Sequence, residues 1–316
     1  MVVVGIHESV TELFPPGVLA EQLEPTTEPA TETAAMTTEI VTDESELADC
    51  DGLVTFAYEP AFLSAGLTWI HSVQAGVDRF PFDALAEQGI SLTNSTGIHG
   101  DAVGETVVGY MTAFARRLHR HRDRERDADW QYPAWDEAFT LAGETLCVIG
   151  LGTLGRGIAA RADALGMNVV GVRRTPTPVD HVSEIYTPAD RETAVADARF
   201  VAVATPLTDD TRGLIGADEL AAMPDNAYLL NVSRGGVVNE DALLAALRAG
   251  SLAGAAIDVF ETEPLPADSP FWERSDVIVT PHAAAATHEY ADRVAALVRE
   301  NSRRLAAGDD LVNQVI

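Results

Sequence analysis

At 316 residues, 47% of them hydrophobic, the chain has the length for about two domains and the apolar content for two cores, which excludes disordered and collagen-like classes. Forty-nine acidic residues face 21 basic ones, all arginine, for a formal charge of −28, and that field disfavours nucleic-acid binding. The richest apolar runs, 252–260 and 200–204, fall short of the roughly 18 residues a membrane helix needs. Residues 1–10 have no basic lead-in and meet His7 and Glu8 early, so they read as a first strand and not as a signal peptide. Runs at 2–6, 53–56, 67–73 and 90–94 predict the strands of a first unit, and residues 24–39, rich in Thr, Glu, Pro and Ala, a solvated loop and edge. Residues 116–129 interleave Arg116, Arg117, Arg120, Arg122, Arg124 and Arg126 with acids. They read either as a salt-bridged helix surface or as a subunit contact that meets acids of a second copy. Runs at 145–149, 168–172, 200–205, 228–232, 254–259 and 277–280 predict the strands of a second unit. The segments between are helical, such as 154–165 and 240–249, the latter opened by Asn239 as N-cap and closed by Gly250. This alternation predicts an α/β fold of parallel sheets covered on both faces.

Unscreened, a charge of −28 pushes the surface apart; at molar salt the Debye length shrinks to about 3 Å and the penalty largely vanishes. A lysine-free acidic chain therefore reads as a soluble, cytoplasmic protein built for concentrated salt, of the haloarchaeal kind. Cys50 and Cys147 make no disulfide framework, and Cys147 falls in an apolar run where a buried thiol is expected. The His-Arg-His-Arg run at 119–122 lacks carboxylate or cysteine partners at metal spacing, so no metal site is expected.

The strongest local motif is Gly150-Leu151-Gly152-Thr153-Leu154-Gly155, directly after the strand at 145–149 and opening a helix near Thr153. The first glycine permits a tight turn, the second lets the backbone approach a pyrophosphate, and the third allows close helix–strand packing. Unpaired N–H groups at the helix start then face the phosphates. Past the next strand, where an acid would bind the ribose 2′-hydroxyl, stand Arg173-Arg174-Thr175. Guanidinium groups there suit a 2′-phosphate, so NADP(H) is expected over NAD(H), with NAD(H) as a slower alternative.

Three further segments begin at strand ends, where open parallel sheets place ligands: 231–237 (Asn-Val-Ser-Arg-Gly-Gly-Val), 258–265 (Asp-Val-Phe-Glu-Thr-Glu-Pro-Leu) and 280–285 (Thr-Pro-His-Ala-Ala-Ala). Their side chains offer a cation with a fork suited to a carboxylate, a proton donor, and a group able to hold that donor ready. Arg234 has the planar fork for the first, and His282 titrates near neutrality for the second. Glu263, if adjacent to His282, would favour the imidazolium and fix its tautomer.

With the glycine motif, these segments make the chain resemble the D-2-hydroxyacid dehydrogenase family over essentially its whole length, with an alanine pattern after His282 similar to a glyoxylate/hydroxypyruvate reductase branch. The resemblance implies Arg234, Glu263 and His282 as the catalytic set, 29 and 19 residues apart, with Glu263 preferred to Glu261 because the family's acid immediately precedes proline. It gives Asp258 the nicotinamide amide and Thr205-Pro206 a turn beneath the adenosine, and it makes Val232 and Ser233 cofactor contacts. In the first unit, the run from His71 to Asp78 is similar to the loop whose amides grip the substrate carboxylate, with Ala75 and Gly76 as candidates. Phe56 and Tyr58 could shape the pocket, although core packing is the commoner fate of aromatics.

The resemblance implies two Rossmann-like or flavodoxin-like domains, a substrate domain of residues 1–97 plus 287–316 and an inserted NADP-binding domain of 98–286, with the site in a cleft that closes to exclude water. It implies a homodimer that reversibly reduces 2-oxocarboxylic acids to D-2-hydroxyacids. The substrate stays open among glyoxylate, hydroxypyruvate, pyruvate and branched-chain acids. The rival reading is a dinucleotide-sensing, corepressor-like binding protein without turnover.

Overall fold

The N-terminal apolar run forms β1 (Val2–His7), whose Val2, Val4 and Ile6 are buried. The computed structural model describes residues 2–24 and 36–316, and contact density divides the chain into Met1–Ile98 with Ala286–Ile316, and His99–Ala285. After helix α1 (Pro16–Leu23), the first unit adds β2 (Met36–Val41), β3 (Gly52–Thr55), β4 (Trp69–Ser72), α2 (Phe82–Glu87) and β5 (Ser91–Asn94). All pairs are parallel, in the order β2-β1-β3-β4-β5. β3 and β4 are buried throughout, as central strands of a doubly covered parallel sheet must be. The C-terminal helix Tyr290–Ala307 returns to this unit and buries Tyr290, Ala291, Val294, Ala295 and Val298 in the same core as Val2, Val4 and Ile6.

Two expectations for this unit need correction or restriction. Met36–Glu39, the end of the segment read as a solvated loop and edge, begin β2, the polar, half-exposed edge strand; residues 25–35 of that segment lie outside the described residues. His71 is a core residue. Its ring nitrogens meet Thr93 Oγ1 at 2.9 Å and Ser95 Oγ at 3.1 Å, and complete burial pushes its pKa down to about 3, so it is neutral at pH 7.

The second unit runs α3 (Gly100–Ala115), α4 (Leu118–Arg126), β6 (Thr145–Ile149), α5 (Thr153–Ala164), β7 (Asn168–Val172), β8 (Glu184–Tyr186), α6 (Arg191–Val195), β9 (Phe200–Val203), α7 (Ala217–Ala222), β10 (Tyr228–Asn231), α8 (Glu240–Ala249), β11 (Gly254–Ile257) and β12 (Val277–Val279). Its seven strands are parallel in the order β12-β11-β10-β9-β6-β7-β8, so the winding reverses between β6 and β9. That reversal opens a crevice at the carboxyl ends of the two strands, where ligands bind in such sheets. Sequence reading missed β8, three residues with no alternation to betray them. Helix α8 has the caps its sequence predicts: Asn239 Oδ1 accepts from the Ala242 N–H at 2.9 Å, and Gly250 closes the helix at φ 69°.

The arginine-rich segment does two things at once. Arg122 pairs with Glu125 at 2.7 Å on the exposed surface of α4, which buries none of its residues. Arg117 instead turns inward: its guanidinium donates to the Tyr228 hydroxyl at 3.1 Å and to the Glu137 carbonyl at 2.9 Å. Tyr228 stacks on Phe114 at 4.5 Å and on Phe200 at 5.3 Å, and Arg199 lies 4.2 Å over Phe139, so the base of the following segment is anchored. Between these anchors Trp130, Tyr132 and Trp135 are 99%, 93% and 93% exposed. Both cysteines are buried, and burial pushes the Cys147 thiol up to about 12. Among the described residues no helix is long and apolar enough to cross a membrane, and no cluster of His, Cys, Asp and Glu is placed to hold a metal.

Candidate active site

The turn after β6 is built for backbone approach. Gly150 sits at φ 99°, and a Cβ there would lie 2.8 Å from the Ala204 carbonyl oxygen and 2.9 Å from Thr205 Cα, so the ends of β6 and β9 touch across the crevice. A Cβ on Gly155 would collide with the Gly150 carbonyl, which lets α5 start hard against its strand. Gly152 has open space where a Cβ would stand, and no side chain caps α5. The first amides of α5, at Thr153 and Leu154, therefore have no side-chain cap and stand beside the open space at Gly152, the arrangement that receives a phosphate at a helix start. The residues present fit a dinucleotide.

Arg173 and Arg174 follow β7, the strand that pairs with β6. Arg173 touches only the Thr177 carbonyl at 3.4 Å, Arg174 is exposed, and no carboxylate among the described residues pairs with either. Thr205 and Pro206 lie at the β9 end of the crevice. Val232 and Ser233 are each 5% exposed, and the Ser233 hydroxyl is turned inward to Asn231 Oδ1 at 3.0 Å.

Strands β10, β11 and β12 are neighbours, so their carboxyl ends deliver Arg234, Glu263 and His282 from one edge of the sheet. Glu263 and His282 meet: Glu263 Oε2 lies 2.8 Å from His282 Nδ1, while Glu263 Oε1 accepts the Phe260 N–H at 2.9 Å. The carboxylate is thus fixed on its own loop and orients the ring, which leaves Nε2 as the nitrogen able to act. Glu261 takes no part in that pair; its amide donates to Glu240 Oε1 at 2.7 Å. His282 adopts φ 52°, a conformation uncommon for any residue but glycine, and its amide donates to the Asp258 carbonyl at 2.8 Å.

Asp258 holds this turn. Its Oδ1 accepts from Thr280 Oγ1 at 2.6 Å and from the Ala283 N–H at 2.9 Å, and its Oδ2 accepts from the Ala284 N–H at 3.0 Å, with the residue 2% exposed. Tyr110 donates to Thr280 Oγ1 at 2.6 Å; burial pushes its phenol up to about 12, so it stays a neutral donor. Sequence reading assigned Asp258 to a cofactor contact alone and missed this structural task.

The Arg234 turn is clamped by a residue the sequence did not single out. Asn231 Oδ1 accepts the Ser233 N–H at 3.2 Å and its Nδ2 donates to the Arg234 carbonyl at 3.2 Å. The Arg234 guanidinium donates to the Ser233 carbonyl at 2.7 Å, with no carboxylate partner among the described residues. A Cβ on Gly235 would collide with the Phe260 carbonyl carbon and the Glu261 nitrogen, so this glycine presses the Arg234 turn onto the Glu263 loop. Gly235→Ala is expected to cost about 1–3 kcal/mol of stability, as over-packing does, and to lower turnover; denaturant melts at fixed high salt and steady-state rates check both.

In the first unit, the loop after β4 has its carbonyls pinned one after another. Those of Ser72, Val73, Gln74, Ala75 and Gly76 accept from Ser95 Oγ (3.1 Å), Tyr290 OH (2.9 Å), the Ser95 amide (3.2 Å), Asn94 Nδ2 (2.8 Å) and Arg79 (3.2 Å) respectively. Among the described residues the amides of Ala75 and Gly76 donate to no protein acceptor. A loop with its oxygens engaged and two N–H donors left over has the donor pattern of an anion-binding nest. Tyr58 is packed edge-on against Phe62 and Phe80, each 6.0 Å away, which gives it a packing role.

A phosphate cradle and an oriented histidine–carboxylate pair on one parallel sheet define a dinucleotide-dependent oxidoreductase. The sequence pattern described as "D-isomer specific 2-hydroxyacid dehydrogenase, NAD binding domain" matches residues 108–284. The chain is 33% identical to the glyoxylate reductase of Korarchaeum cryptofilum (strain OPF8) over 85% of its own length and 84% of that protein's. It is also 33% identical to glyoxylate/hydroxypyruvate reductase B of Yersinia pestis (strain Pestoides F), over 76% of this chain and 74% of that one. The D-isomer specific 2-hydroxyacid dehydrogenase of Xanthobacter autotrophicus Py2, solved with NADPH and MES, superposes with a TM-score of 0.82 at 28% identity, covering 100% of this chain and 98% of that one. The chain belongs to the D-isomer specific 2-hydroxyacid dehydrogenase family, and it is an oxidoreductase of that class.

Proposed function

We propose that the protein reduces small 2-oxocarboxylic acids to D-2-hydroxyacids, reversibly and with NADPH in preference to NADH. The observation that carries this reading is the 2.8 Å contact between Glu263 and His282 Nδ1. With Nδ1–H directed at the carboxylate, His282 presents Nε2 to the substrate and protonates the 2-oxo oxygen as it becomes an alkoxide; in reverse it takes the hydroxyl proton. Glu263, itself held by the Phe260 amide, fixes the ring so that Nε2 is the nitrogen presented. Arg234 takes the substrate carboxylate and polarises the carbonyl, and in the first unit the amides of Ala75 and Gly76 are carboxylate donors. The nicotinamide, when bound, supplies the hydride to C2. Thr153 and Leu154 would hold the pyrophosphate of the bound cofactor, and Arg173 and Arg174 its 2′-phosphate. The glyoxylate and hydroxypyruvate reductase names of the relatives support small substrates, and the NADPH bound to the Xanthobacter protein supports the phosphorylated cofactor. Loss of NADPH absorbance on addition of glyoxylate or hydroxypyruvate, in molar potassium chloride, tests the reading; no oxidation with any of a panel of 2-oxoacids rejects it. Arg173→Ser/Arg174→Ser is expected to raise the KM for NADPH about tenfold or more while that for NADH changes little, since each lost guanidinium–phosphate contact is worth about 1.5–3 kcal/mol.

The protein is a homodimer on the same reading. Three aromatic side chains almost wholly in water beside an arginine-rich helix are a costly surface, and Arg120 and Arg126 of that helix, which pair with no carboxylate among the described residues, are open to acids of a second copy. Trp130→Ser/Tyr132→Ser/Trp135→Ser is expected to sediment as a monomer where the wild type sediments as a dimer at the same salt. Equal sedimentation of the two proteins rejects this surface.

A further inference from the structure

We propose that Arg79 is the positioning residue of the anion-binding nest, and that it sets the affinity for the substrate carboxylate. The inference rests on the reading of the Ala75–Gly76 amides as the carboxylate donors. The Arg79 guanidinium spans the loop: it donates to Ser72 Oγ at 3.0 Å, to Gln74 Oε1 at 2.8 Å and to the Gly76 carbonyl at 3.2 Å. It is also held between two rings, 5.2 Å from the Phe56 centroid and 5.0 Å from that of Phe80. One planar cation thus bridges the beginning, middle and end of the segment: its bond to the Gly76 carbonyl fixes the Gly76–Val77 peptide, and with its bonds to Ser72 and Gln74 it braces the backbone on both sides of the Ala75 and Gly76 amides. The other four carbonyls of the segment are fixed by groups of the sheet and the C-terminal helix, and of the five only that of Gly76 is held by Arg79.

The sequence adds an independent argument. No arginine precedes Arg79 and none follows it until Arg116, so in an acid-rich stretch without lysine the single cation stands at this loop. An anionic substrate approaches a protein of charge −28 against its field, and a fixed positive charge beside two free amides lowers that barrier locally. A lysine would keep the charge but not the fork, because three donors on one tetrahedral head cannot reach three loop acceptors while stacking between two rings.

The test uses Arg79→Lys and Arg79→Met in the full chain at working salt, with far-UV circular dichroism as a folding control. Steady-state kinetics with glyoxylate and calorimetric titration of the NADP-saturated protein with oxamate, a carboxylate that is not turned over, give two readouts. Both variants are expected to raise the KM for glyoxylate and the Kd for oxamate about tenfold, with kcat within about threefold and the KM for NADPH unmoved, the loss expected of charge-assisted contacts. Unchanged KM and Kd in Arg79→Met overturn the proposal. Full rescue by Arg79→Lys overturns the positioning role, since charge alone would then suffice. If the methionine variant does not fold, the lysine variant alone decides. Absence of wild-type turnover and of oxamate binding would instead overturn the carboxylate reading itself, and this inference with it.

Discussion

His282→Asn is expected to lower kcat by about 10²–10⁴ while the affinity for NADPH is retained, the range that removal of a general acid produces. Asparagine is the informative replacement because it tolerates the left-handed backbone that His282 occupies at φ 52°, so the turn is not strained by the exchange. It cannot shuttle a proton at neutral pH. The amide bond to the Asp258 carbonyl and the Asp258 clamp on Ala283 and Ala284 do not involve the imidazole and persist. Glu263→Gln is expected to cost less, about 10–100-fold, because the glutamine oxygen can still accept from Nδ1–H while the negative charge beside the ring is lost. Steady-state rates in both directions, with a fluorescence titration of NADPH, decide the matter. Equal background rates in wild type and His282→Asn would place the protein among dinucleotide sensors.

Arg234→Met is expected to lower kcat/KM by about 10³, combining the loss of a carboxylate contact with the loss of a donor to the developing oxyanion. Methionine approximates the length and volume of the arginine stem, and the backbone of the turn is set by Asn231 and by the seat of Gly235 against Phe260 and Glu261, not by the guanidinium. The residual fold should therefore melt near the wild-type temperature. A fall in kcat/KM of less than about tenfold would remove Arg234 from the chemistry.

Much of this was legible in the sequence because parallel strands buried on both faces read as short apolar runs, and ten of the twelve strands announce themselves that way. The two exceptions have physical reasons. β2 is an edge strand whose Thr37, Thr38 and Glu39 need no burial, and β8 is too short for any period. The glycine turn was legible because steric demands at Gly150 and Gly155 leave one residue type. What could not be read were tasks set by tertiary partners. Asp258 holds the His282 turn through residues 22–26 positions away, and the loop at 72–76 takes its donors from Asn94, Ser95 and Tyr290. A carboxylate at a strand end looks alike whether it holds a ligand or a backbone; only the count of amides aimed at it tells the two apart.

The first unit takes its sheet from one end of the chain and its covering helix from the other. On the ribosome, β1–β5 therefore leave the exit tunnel with the core around Val4 and Ile6 still lacking Ala291, Val294, Ala295 and Val298, while residues 99–285 carry everything their own core requires. The usual N-terminal-first order of co-translational folding is inverted: the inserted unit can mature first, and the nascent sheet awaits residues 286–316, a window in which its apolar surface is open to aggregation.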